Sequence, residues 1–109
     1  NAMLLPSCIR YNAAKGCDLY GEIGRELKLF HGNFSPEIAG EKFAGYIARL
    51  NKEIGIPANL KEAGVKPEDF REMAEKALQD VCMETNPAVP TLEDVVNIYE
   101  AAYKGTILR

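Results

Sequence analysis

Apolar residues recur at three- and four-residue intervals in four segments of the chain, and none of them alternates as a strand would. The first segment runs from Cys17 to Phe30, with Tyr20, Ile23, Leu27 and Phe30 on one stripe and Asp18 as an N-cap candidate. Gly21 and Gly24 lie inside it, and each costs a helix about 1 kcal/mol relative to alanine. That helix therefore needs packing partners, or a close contact that only glycine permits. Phe30-His31-Gly32-Asn33 ends it, since glycine and asparagine accept the left-handed conformation of a helix stop.

The second segment begins with Ser35 as N-cap and Pro36 at the first helical position. Ala39, Phe43, Tyr46, Ile47, Leu50 and Ile54 form its apolar stripe, Gly55 stops it and Pro57 prevents its resumption. A short helical turn is expected over Leu60 to Ala63, with Asn59 as cap, Glu62 at the capping-box position and Gly64 as its end. Pro67 opens the third segment, where Phe70, Met73, Ala74, Ala77, Leu78 and Val81 follow the amphipathic template and Cys82 sits at the stripe's edge. Thr85 to Pro90 holds two prolines in four residues, so a stiff extended connection is expected there. Thr91 and Asp94 start the fourth helix, with Leu92, Val95, Val96, Tyr99, Ala102 and Tyr103 on one face. Gly105 stops it ahead of the tail Thr106 to Arg109. Each helix has one apolar and one polar face, so they must share a core. The expected fold is an all-α bundle of about four to six helices, in one domain over residues 1–109.

With 109 residues, the chain is too short to hold both a dinucleotide-binding domain and a substrate domain. A net charge of −3 gives no general attraction to nucleic acid or anionic membrane, and no partner of either kind is expected. No apolar stretch approaches a membrane span, and Asn1 to Pro6 does not have the form of a signal peptide. Cys8, Cys17 and Cys82 are odd in number and show no CxxC spacing. They read as reduced thiols in a cytoplasmic protein.

The chain lacks a GxGxxG, a P-loop, a nucleophile elbow and an HExxH. Its single histidine, His31, fits a helix-ending loop better than a ligand set, because a catalytic metal site usually takes more than one histidine. Arg10, Lys15, Arg25, Lys28 and Arg49 read as solvated faces rather than an anion site. The tyrosines read as core residues with their hydroxyls at the rim. Cys82 admits two readings, a small buried hydrophobe or a functional thiol.

Four motifs go further. Leu4-Leu5-Pro6-Ser7-Cys8-Ile9-Arg10-Tyr11-Asn12 is similar to "LLP-x-V-x-R-Y/F-N" of the iron-dependent (group III) alcohol dehydrogenases. Leu50 and Ile54-Gly55-Ile56-Pro57, followed by Leu60, Gly64 and Val65, resemble that family's "LGIP-x-L-x-x-xGV". Asp80-Val81-Cys82 with Asn86-Pro87 resembles "D-x-C-x-x-x-NPR", and Thr91-Leu92-Glu93-Asp94-Val95 with Ile98-Tyr99, Ala102 and Tyr103 resembles "TLEDV-x-x-IY-x-x-A-Y/W". They occur in the family's order and span nearly the whole chain.

The resemblance implies the last part of that family's C-terminal helical domain, in a dehydroquinate synthase-like fold. Family members join this domain to a nucleotide-binding domain. They use NAD(P) and a divalent metal, iron or zinc, to interconvert small alcohols and aldehydes. The metal's aspartate and histidine ligands precede the LLP stretch, so no metal ligand, catalytic residue or cofactor-binding residue is expected in this segment, and His31 matches no ligand position. By the same resemblance Cys82 lines the substrate pocket, with Asn86 and Pro87 at its edge. Ala88 stands where the family commonly has arginine, so the anion contact of that arginine is not carried over. Two roles then compete. The chain is part of an alcohol dehydrogenase and inactive alone, or it is a free-standing helical interaction module that self-associates through the surface the missing domain would cover.

Overall fold

The computed structural model describes residues 1–105, so the tail read from Thr106 to Arg109 lies outside the described residues. Those residues form five α-helices, α1 (Leu5–Ala14), α2 (Leu19–Glu26), α3 (Pro36–Glu53), α4 (Phe70–Leu78) and α5 (Leu92–Lys104), with 3-10 turns at Pro67–Asp69 and Val81–Thr85. The all-α expectation holds, with no strand among the described residues.

Periodicity alone passes over α1. It is only ten residues long, and its buried face is Pro6, Ile9, Asn12 and Ala13, where a polar and a small residue stand in for large apolar ones. Yet α1 packs along α3 and touches α5. The facing side of α3 is also small, buried through Ala39, Gly40 and Ala44. A Cβ on Gly40 would overlap the Cβ of Ala13, so only glycine lets the two helices approach this closely. Ser35 and Pro36 start α3 as expected, with Ser35 Oγ accepting from the Ile38 N–H at 3.3 Å.

The second helix differs from its sequence pattern. It stops at Glu26 rather than reaching Phe30, and Lys28 turns the chain with φ of 60°. Its buried face is Gly21 and Gly24, while Leu19, Ile23 and Leu27 face outward at 53%, 41% and 57% exposure. Close approach accounts for the inversion. A Cβ at Gly21 would touch Ala39, and one at Gly24 would overlap the ring of Phe30, which folds back across it.

The expected turn of helix at Leu60 to Ala63 is a hydrogen-bonded turn instead. Asn59 Oδ1 accepts from the Glu62 N–H at 2.9 Å, but the Glu62 carboxylate meets the Asn59 side-chain amide rather than its backbone, so the capping box is not closed. Leu60, Phe70 and Ala102 form a core flanked by Met3, Leu4, Val65, Met73, Val96, Tyr99 and Tyr103. Phe70 stacks on Tyr99 with ring centres 6.0 Å apart and meets Tyr103 edge-on at 5.7 Å. α5 opens with a complete capping box between Thr91 and Asp94 and closes at Gly105, whose φ of 68° is the left-handed stop.

Val81 does not extend the α4 stripe. Asp80 leaves the helix in an extended conformation, its Oδ1 accepts from the Cys82 N–H at 2.8 Å, and Val81 is 71% exposed. An aspartate that bonds its own following backbone competes with helix continuation, which is why α4 ends before it.

Gly40→Ala is expected to destabilise the fold by about 1–3 kcal/mol, the usual range for overpacking. A lowered urea midpoint checks this, and an unchanged midpoint would show that α1 and α3 can separate at no cost.

Candidate functional site

Cys82, Asn86 and Pro87 share the connection between α4 and α5. Cys82 lies in the 3-10 turn Val81–Thr85, and Asn86 continues in an extended conformation (φ −68°, ψ 139°) that suits the proline after it. Cys82 is exposed, which removes its reading as a small buried hydrophobe. A hydrogen bond and negative charge from Asp80 push its thiol pKa up, so the sulfur stays protonated at neutral pH. Asn86 is half-buried and exchanges hydrogen bonds with Asn12 of α1, at 3.2 Å in one direction and 2.9 Å in the other. Asn86 Nδ2 also donates to the Ala88 carbonyl at 2.7 Å. Asn12 donates in addition to the Tyr20 hydroxyl at 3.2 Å. Burial raises the Tyr20 pKa against the lowering effect of that bond.

The sequence pattern did not place Asn12, Tyr20 or Asp80 at the site. The spacing carried no signal for Asn12, because its place on one face with Ile9 and Ala13 exists only once α1 is a helix. A second link ties the same region to α5, where the Tyr11 hydroxyl donates to Asp94 Oδ2 at 2.9 Å. The Thr91 backbone N–H and the Tyr11 hydroxyl hold the Asp94 pKa below its ordinary value.

Arg10 departs from its solvated-face reading. Its side chain is only 12% exposed, Nε donates to Glu41 Oε1 at 2.7 Å, and Nη2 is buried without a partner among the described residues. It lines a groove of 710 Å³ with Met3, Arg49, Lys52, Ile56 and Ala102, a groove that none of Cys82, Asn86 and Pro87 borders. The candidate site is therefore a surface wall distinct from this groove.

Among the described residues, no three or more His, Cys, Asp or Glu side chains come together as a metal site. His31 is exposed on the loop after α2. A resident metal does not fit the donors present in this segment. No described helix is long and apolar enough to cross a membrane.

The C-terminal part of the Fe-containing alcohol dehydrogenase family matches residues 1–103. The chain belongs to this family. It is 39% identical over 103 residues to lactaldehyde reductase of Escherichia coli (strain K12), covering 94% of this chain and 27% of that one. It is 30% identical over 110 residues to the NADPH-dependent butanol dehydrogenase of Clostridium saccharobutylicum, covering 97% and 28%. A crystal structure of 1,3-propanediol oxidoreductase superposes with a TM-score of 0.80 at 36% identity, over 94% of this chain and 27% of that one. The chain thus spans about a quarter of the length of the relatives it matches.

Because Asp94 has a lowered folded pKa, its stabilisation is complete above the unfolded carboxylate range and is lost as pH falls through the folded value. Asp94→Asn is expected to lower Tm at neutral pH, with the gap to the unaltered chain closing in strong acid. A gap that persists unchanged into acid would contradict the ionic contribution.

Proposed function

We propose that this chain is the C-terminal helical segment of a cytoplasmic, NAD(P)-linked, metal-dependent alcohol dehydrogenase that interconverts small alcohols and aldehydes. The match of family over residues 1–103 carries the reading. Iron is the metal in the family's name, and NADPH is the cofactor in the name of the butanol dehydrogenase relative. In this reading the remaining part of the protein holds the nicotinamide and the metal, which supply hydride transfer and polarisation of the reacting oxygen. This segment contributes one edge of the substrate pocket, through Cys82, Asn86 and Pro87.

The chemistry of that edge suits a small alcohol. A thiol kept protonated beside Asp80 is a compact, weakly polar surface rather than a nucleophile. Val81 and Val89, exposed at 71% and 93%, add apolar surface on either side. The Asn86 carboxamide is engaged by Asn12 and Ala88.

The purified 109-residue chain, given NADH or NADPH, a small aldehyde and ferrous or zinc ion, is expected to consume no nicotinamide above the blank. The full-length protein is expected to consume it. Turnover by the 109-residue chain alone, or none by the full-length protein, overturns the proposal.

The outward stripe of α2, Leu19, Ile23 and Leu27, with Ile38 of α3 at 51% exposure, favours a second reading as an interaction module. Those side chains would bury against the rest of the protein or, without it, against a second copy. Light scattering tests this: mass rising with concentration supports self-association, and a monomer throughout contradicts it.

A further inference from the structure

The α4–α5 connection holds all three candidate pocket residues, yet packing fixes only its α5 end, where Pro90 is buried. Its 3-10 turn buries no residue, and Val81, Cys82, Pro87 and Val89 are exposed. The side chains of Asp80 and Thr85 bond only within the segment, to the Cys82 N–H and the Cys82 carbonyl. Among the described residues, the side-chain hydrogen bonds that leave residues 79–90 all run between Asn86 and Asn12.

The Asn12 end of this pair is rigid. Asn12 is 6% exposed and lies between Ile9 and Ala13, each 2% exposed, on the helix that meets α3 at Gly40. Two neutral carboxamides exchanging bonds satisfy a donor and an acceptor on each side without burying a charge. The same Asn86 amide nitrogen reaches the Ala88 carbonyl, so one side chain holds both halves of the connection.

We infer that Asn12 is a positioning residue. Its carboxamide sets the place of Asn86, and Asn86 in turn sets the wall that runs from Cys82 to Pro87. The role in catalysis rests on the proposed reading that this wall borders the substrate pocket; the clamp itself does not.

The amides of Cys82, Met83 and Asn86 are hydrogen-bonded within the connection and report its order by NMR hydrogen exchange. Asn12→Ala is expected to speed their exchange about tenfold while the amides of α3 and α5 keep their rates. Asn86→Ala removes the same pair from its half-buried end together with the bond to Ala88, and is expected to speed exchange at least as much. The double variant should exchange no faster than Asn86→Ala alone, the signature of a shared interaction. Unchanged exchange at these amides in Asn86→Ala, or additive effects in the double variant, overturns the clamp.

In the full-length protein, Asn86→Ala and Asn12→Ala are both expected to raise KM for the alcohol several-fold, with kcat and metal content held. Faster exchange with unchanged KM overturns the positioning role and leaves the dehydrogenase reading standing. A full-length protein with no dehydrogenase activity before any substitution overturns that reading instead, so the two failures are distinct.

Discussion

The close approach of α1 and α3 at Gly40 is the constraint on which the rest of the structure depends. With no side chain at Gly40, Ala13 sits against the α3 backbone, and α1 is fixed in depth and register. Its polar side chains then reach outward from a rigid base, each to a different element. Arg10 meets Glu41 on α3, Tyr11 meets Asp94 at the start of α5, and Asn12 meets Asn86 in the α4–α5 connection. A short helix of modest apolar content thereby organises three other parts of the chain. Small residues on both faces permit backbone proximity, and that proximity makes the long-range hydrogen bonds geometrically available.

Much of this was legible in the sequence, though unevenly. The starts and stops of α3 and α5 follow from Ser35-Pro36, Gly55, Thr91 with Asp94, and Gly105, because capping is local chemistry. Helix α1 was not legible as a helix, since amphipathic patterning looks for large apolar side chains and its core face offers Asn12 and Ala13. The facing of α2 was misread for a related reason. Hydrophobic spacing put Ile23 and Leu27 inward, whereas the structure buries the glycines that allow contact with Ala39 and Phe30. Tertiary proximity overrode the pattern.

The candidate site shows the same division. Motif order carried the family, and that family is the one whose C-terminal part matches residues 1–103. The motif around Cys82, Asn86 and Pro87 placed three residues on one connection, but not what holds the connection in place. Asn12 lies in a different motif, 74 positions away from Asn86 in sequence, and spacing along a chain says nothing about such a pair. The state of Cys82 also needed coordinates, because the sequence admitted both a buried hydrophobe and a functional thiol, and only the bond to Asp80 shows why the thiol stays protonated.

In the proposed function the Cys82 connection forms an edge of an alcohol-binding pocket in the full-length protein. The most direct measurement is the alkylation rate of Cys82 by iodoacetamide in that protein, followed by peptide mass, with and without saturating alcohol and nicotinamide. Cys82 is expected to be protected when both are bound, while the half-buried Cys8 and Cys17 keep their rates. An alkylation rate at Cys82 indifferent to bound alcohol would contradict it.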